Sequence, residues 1–373
     1  MSNRVYAKSA KSLLTATCLV CAAAVSAAAP AHAADKIGWL WAYAPTTAGT
    51  YTASGAYVYN STGGAVTVTR KSKGFYEIGM AGLYETGYHN NVQVTAYGTS
   101  GYCTSAGWNA HAGSTVKMWV ACYSASGAHA DTYFDVLFQS RSTNTGSASK
   151  GLAFLWDGSP SSSYTPTTFS YNSTGGANTI THNATGSYTV LLPGLTKVGG
   201  DVQVTAYNGY DTTANPARCK VEFWGSGSSG TSINVLCFDS TGTAADEEFS
   251  LAFSLADPYA VGTPPTNYQA YAWTNNSTDT SVYTPDSIYN YSDFGTGLMT
   301  SQNTGTGSYT TAVPPTLPTY SSSNVLVTGY GSDNSYCNVV GWGGGLSEVE
   351  AACYAQGGAL VNEDFDVSIQ AWE

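Results

Sequence analysis

From Thr263 to the C terminus the chain contains no lysine, arginine or histidine, and all 373 residues together hold only 13 basic residues against 24 acidic ones. A chain so poor in cations is repelled by phosphate backbones, so nucleic acid is excluded as a partner class. Beyond residue 33 no apolar run approaches the ~20 residues of a membrane-spanning helix, and no integral membrane segment is expected. Helical periodicity is almost absent. There is no G-x-S-x-G elbow and no D-x-[DN]-x-[DN]-G calcium loop, which removes the usual signatures of an esterase fold and of a dedicated calcium site. No cofactor or metal is expected.

Residues 1–33 have the plan of a secretory signal. Arg4, Lys8 and Lys11 precede an apolar stretch from Leu13 to Ala29, and Ala31-His32-Ala33 forms a small-residue cleavage site. The expected location is therefore outside the cytoplasm, extracellular or periplasmic. Cys18 and Cys21 fall within the segment to be removed, so their C-x-x-C spacing carries no redox or metal reading. The remainder has ten basic and 24 acidic residues, unevenly spread: six and five over 34–144, four and nine over 145–262, none and ten over 263–373.

What the chain does have is a repeated sentence built around paired cysteines. Cys103, Trp108, Cys122, Asp131 and Phe134 are followed by Cys219, Trp224, Cys237, Asp246 and Phe249, then by Cys337, Trp342, Cys353, Asn362 and Phe365. First cysteines 116 and 118 residues apart imply domain-sized units, too long for a solenoid. Between these landmarks apolar residues alternate with polar ones over short runs bounded by Gly, Asn and Pro. Val116, Met118, Val120 and Cys122 share one face, as do Ile233, Val235 and Cys237. The fold class read from this is all-β: three tandem β-sandwich domains of about 110 residues over 34–144, 145–262 and 263–373. An even count of six cysteines in an exported chain reads as three disulfides, one inside each domain: Cys103 with Cys122, Cys219 with Cys237, and Cys337 with Cys353. Units of this length are expected to close over their own cores and to fold singly.

The combined pattern, from V-Q-V-T-A-Y at 92–97 through C-x4-W to C-x8-[DN]-x2-F, resembles a disulfide-containing β-sandwich repeat found in tandem in uncharacterised secreted bacterial proteins. The resemblance spans nearly the whole chain after residue 33 and implies no activity, substrate or site.

Residues present in all three copies read as frame. Trp108, Trp224 and Trp342, with Trp41, Trp156 and Trp273, are expected to pack in the cores beside the cysteines. Asp131, Asp246 and Asn362 exchange carboxylate for amide, as a turn-capping oxygen tolerates and a general acid does not. His129 two residues before Asp131, with His89 and His111, offers only a weak hydrolase reading on the first repeat. The candidate ligand contacts are tyrosines outside the recurring positions, Tyr84, Tyr88, Tyr102, Tyr210 and Tyr336, because Tyr among Ser, Gly and Asn suits adaptable binding surfaces. The expected function is a non-catalytic secreted binding protein whose three modules recognise a polysaccharide or protein surface. The alternatives are a secreted hydrolase with its site on repeat 1, and an envelope structural or inhibitor protein.

Overall fold

The cysteine-bearing segments form β-hairpins in which each cysteine faces its partner directly across the ladder. Cys103 pairs with Cys122, Cys219 with Cys237 and Cys337 with Cys353, at Cα separations of 4.0, 4.1 and 4.0 Å, and all three pairs are disulfide-bonded. The computed structural model describes residues 35–141 except 86, 88 and 112, then 151–209, 216–256, 267–314 and 321–373 except 344 and 345. The expected signal segment lies outside these. Among the described residues the fold is all-β, with one short 3-10 turn at Ser287–Tyr289. It contains no helix long and apolar enough to cross a membrane. The three disulfides fit a location outside the cytosol.

Each repeat contributes two layers. In repeat 1 the inner layer is Lys36–Ala42, Val58–Asn60, His89–Tyr97 and Tyr133–Arg141; the outer layer is Gly49–Thr52, Val66–Ser72, Phe75–Met80, Tyr102–His111 and Thr115–Tyr123. Between the layers lies a core of Leu40, Tyr76, Ile78, Val92, Val94, Met118, Val120, Phe134, Val136 and Phe138, with both cysteines. Repeats 2 and 3 have equivalent cores around Phe249, Leu251 and Phe253, and around Phe365, Val367 and Ile369.

Separate closure holds for the cores and the disulfides, but not for the sheets. Every sheet joins the inner layer of one repeat to the outer layer of another, giving sheets of eight, nine and eight strands. The joints are short parallel contacts at equivalent places: Tyr207 opposite Ser105, Tyr330 opposite Val221, and Tyr97 opposite Val339. Repeat 2 thus adds to repeat 1, repeat 3 to repeat 2, and repeat 1 to repeat 3, closing a ring within one chain.

A consequence is that the inner-layer strands are buried on both faces. His89–Tyr97 is buried from Asn90 to Ala96, with Val92, Val94 and Ala96 toward the repeat's own core and Asn91, Gln93 and Thr95 toward the ring axis. These axial polar residues have partners across repeats. Val94 N–H donates to Thr205 Oγ1 at 2.9 Å, Val204 N–H to Thr328 Oγ1 at 3.1 Å, and Val327 N–H to Thr95 Oγ1 at 3.2 Å. The hydroxyls of Thr205 and Thr328 in turn donate to Gln93 and Gln203 at 2.9 Å. A sheet edge that would otherwise stand open is closed by a neighbour's threonine. Further along the axis Ile37, Trp39, Leu137, Leu152, Phe154, Ala252 and Leu326 form a shared apolar plug.

Candidate functional site

The tryptophan after each first cysteine owes its direction to a β-bulge. Residues five apart on a regular strand point to opposite faces, but the register slips between Ser105 and Gly107, between Val221 and Phe223, and between Val339 and Gly341. The extra residue returns Trp108, Trp224 and Trp342 to the cysteine face. There each meets a tryptophan from the adjoining repeat, on the strand face opposite that repeat's own core. Trp108 meets Trp156 at 6.4 Å, Trp224 meets Trp273 at 5.8 Å and Trp342 meets Trp41 at 6.4 Å between ring centroids. A tyrosine completes each cluster edge-on to the buried tryptophan: Tyr207, Tyr330 and Tyr97 at 5.8, 5.6 and 5.5 Å. The expectation that these tryptophans belong to the cores is met for Trp108, Trp224 and Trp342, which are buried. Trp41, Trp156 and Trp273 are half-buried seam residues.

The three seams share this frame and differ at the rim. At the seam of repeats 3 and 1, Trp41 carries an outer ring of aromatics: Tyr133 stacks on it at 6.1 Å and 30°, and Tyr43 lies 6.0 Å away. Tyr133 and Tyr43 are 44% and 39% exposed, so two accessible aromatic rings are gathered on one tryptophan. Beside it is a cleft of about 250 Å³ lined by Tyr97, Gly341, Trp342, Gly343, Glu348 and Glu350. The place of Tyr133 is taken by Glu248 in repeat 2 and Asp364 in repeat 3. At the seam of repeats 1 and 2 a cleft of about 520 Å³ is accordingly lined by Trp156, Tyr207, Asp246, Glu247 and Glu248. Burial, reinforced by neighbouring carboxylates, pushes Glu247 and Glu248 up to about 7.

The turn-capping reading of Asp131, Asp246 and Asn362 agrees with their contacts. Each accepts the N–H of a left-handed glycine, Gly74, Gly186 or Gly307, at 2.9, 2.8 and 2.7 Å. A Cβ on Gly74 would lie 2.5 Å from the carbonyl oxygen of Cys122, so only glycine fits under the cap. The side-chain partner varies with the cap's charge. Arg70 forms a two-pronged pair with Asp131, His182 bonds Asp246 at 2.9 Å, and the neutral Asn303 bonds the neutral Asn362 at 3.1 Å. Burial raises the Asp131 and Asp246 carboxyls, but these donors outweigh it and hold both below the usual range. Asp131 is therefore committed to Arg70, Gly74 and Tyr76, while His129 packs on the Tyr123 ring at 4.7 Å.

The tyrosines proposed from composition are not gathered into one surface. Tyr102 and Tyr336 are only 4% and 7% exposed and converge on the ring axis, on either side of Arg218. Tyr84 is half-buried against the repeat 1 core. Tyr88 and Tyr210 lie outside the described residues. Among the described residues the exposed large aromatics are instead Tyr43, Tyr133 and Phe223, of which Tyr43 and Tyr133 are gathered on Trp41. Their signal was present in Lys36–Ala42, where Ile37, Trp39 and Trp41 are as apolar as the alternating Gly38, Leu40 and Ala42, a pattern that demands a partner on both faces. Among the described residues no group of histidine, cysteine and carboxylates is placed to hold a metal ion.

No protein-family model matches the chain, and neither a curated protein nor a solved structure matches it. Its class rests on its own geometry: an all-β protein of three disulfide-bonded repeats whose sheets run from one repeat into the next.

Proposed function

We propose that this is an exported polysaccharide-binding protein whose principal contact is the aromatic platform of Trp41, Tyr43 and Tyr133 at the seam of repeats 3 and 1. The observation that carries the reading is the pair of exposed tyrosine rings gathered on Trp41 beside a cleft with two exposed carboxylates, Glu348 and Glu350. Aromatic faces present flat apolar area at low entropic cost, and carboxylates accept hydroxyl hydrogen bonds, which together match the alternating faces and edges of a sugar ring. The other two seams repeat the tryptophan frame with acidic rims, so a long glycan meets three related but unequal contacts. The test is retention on insoluble polysaccharides, cell-wall fractions and a glycan array. Tyr133→Ala and Tyr43→Ala alter exposed residues, should leave the circular dichroism spectrum unchanged, and should weaken retention about tenfold each, the ~1–2 kcal/mol expected for an aromatic contact. If the unaltered protein is retained on none of these supports, the reading fails.

One observation favours a second, hydrolytic reading. At the seam of repeats 1 and 2, neighbouring carboxyls in one cleft are pushed in opposite directions, Asp246 below the usual range and Glu247 and Glu248 up to about 7, as in sites that divide acid and base roles. Turnover of a glycoside that is abolished in Glu248→Gln would establish it.

A further inference from the structure

Where the three disulfide hairpins meet the axial threonines, the ring leaves a small, partly open cavity of about 50 Å³ to which every repeat contributes equivalent residues. Thr95, Thr205 and Thr328 line it at one level; Tyr102, Arg218 and Tyr336, each just before a first cysteine, line it at another. Only repeat 2 places a cation there. Arg218 is 5% exposed, and its guanidinium carbon lies 5.0 Å from the Tyr102 ring centre and 4.7 Å from that of Tyr336. One terminal nitrogen donates to Gln356 Oε1, whereas Nε and Nη1, both buried, make no hydrogen bond of ordinary geometry to any described residue. No carboxylate among the described residues forms an ion pair with it; the surface residue Asp239 acts only through space. The second cation lining the cavity, Lys220, is by contrast fully engaged. Its ammonium donates to Asp333, Ser335 and Glu363 at 2.9, 3.0 and 2.8 Å. The Tyr102 hydroxyl favours the charged guanidinium through space and through a weak, long contact with it, and is otherwise buried without a hydrogen bond.

We propose that the axial cavity is a binding site for one small monovalent inorganic anion of halide size, held by Arg218 Nε and Nη1 and by the Tyr102 hydroxyl. A buried cation with no ion-pair partner among the described residues costs several kcal/mol, and a diffusible anion beside it offsets that cost. The volume admits an ion slightly larger than water and excludes bulky organic anions. Because the other two positions of the ring are tyrosines, the stoichiometry is one per chain. The site is independent of the glycan reading, and its test does not involve a glycan.

Bromide serves as the probe. The disulfide-intact protein is melted in rising sodium bromide against sodium gluconate at equal ionic strength, and crystals grown in bromide are examined for anomalous scattering. A saturable rise in melting temperature in bromide alone, with one anomalous peak within hydrogen-bond reach of Arg218, is expected. Arg218→Met, which retains an unbranched side chain on the tyrosine rings, should abolish the bromide-specific rise. Equal melting in bromide and gluconate, or a cavity occupied by water alone in bromide-grown crystals, overturns the proposal; the crystals decide the matter even if Arg218→Met does not fold.

Discussion

Replacing Thr205 by valine removes one hydroxyl from the ring axis while keeping a β-branched side chain of nearly the same shape. In the intact protein that hydroxyl accepts the N–H of Val94 from another repeat at 2.9 Å and donates to Gln93 Oε1 at 2.9 Å. The strand His89–Tyr97 has its ladder partner, Tyr133–Arg141, on its other side, so in the variant Val94 N–H is left buried and unpaired. Stranding a buried donor costs about 1–3 kcal/mol. Thr328→Val and Thr95→Val strand Val204 and Val327 in the same way, so the triple variant should lose about 3–9 kcal/mol if the sites act independently. A domain's whole stability is only about 5–15 kcal/mol, so the triple variant should be close to unfolded. The assay is urea unfolding with disulfides intact, read as a lower midpoint at unchanged slope. Thr205→Ser, which keeps the oxygen, should stay within about 0.5 kcal/mol of the parent. If Thr205→Val proves as stable as Thr205→Ser, the threonines do not close the sheet edges and the reasoning is refuted.

Three further outcomes are expected. Lys220→Met strands the buried Glu363 at the junction of repeats 2 and 3 and should cost about 3–5 kcal/mol in urea unfolding, most of it recovered when Glu363→Gln is added. Asp366, fully buried with neither oxygen hydrogen-bonded, has its carboxyl raised well above the usual value by burial and by the nearby Asp201. A raised folded-state pKa gives stability that is present at low pH and lost as pH rises, so Asp366→Asn should be more stable at pH 7 by about 1 kcal/mol or more, with the difference shrinking in acid. For Glu248, held near 7 in the folded chain, the same sign makes stability fall as pH rises from about 4.5 through 7. Glu248→Gln should flatten that slope, and its absence from a carbon-13 carboxyl titration should remove a midpoint near 7.

The features legible in the sequence were those that recur at one offset. The disulfides follow from paired cysteines on alternating strands, and the caps at Asp131, Asp246 and Asn362 follow from the exchange of acid for amide. The joining of repeats was hidden by a physical ambiguity. Asn91, Gln93 and Thr95 alternate with Val92, Val94 and Ala96 just as a solvent-facing row would, yet they are buried and hydrogen-bonded to other repeats. Period-2 alternation reports which residues differ, not what the polar face meets. The closing contact between Thr95 and Val327 lies 232 residues apart, beyond any local pattern. Tyr102 and Tyr336 escaped for a related reason: their shared partner is an arginine from the intervening repeat, and a tyrosine opening a strand beside a cysteine looks the same whether it faces water or an axial cavity.

Scanning calorimetry of the disulfide-intact chain, alongside residues 145–262 expressed alone, tests most directly whether the three repeats form one closed body. The joined sheets predict a single transition whose calorimetric and van't Hoff enthalpies agree, and no cooperative transition for the excised repeat. Three resolvable transitions, or an excised repeat that melts cooperatively at the temperature of the full chain, would contradict it.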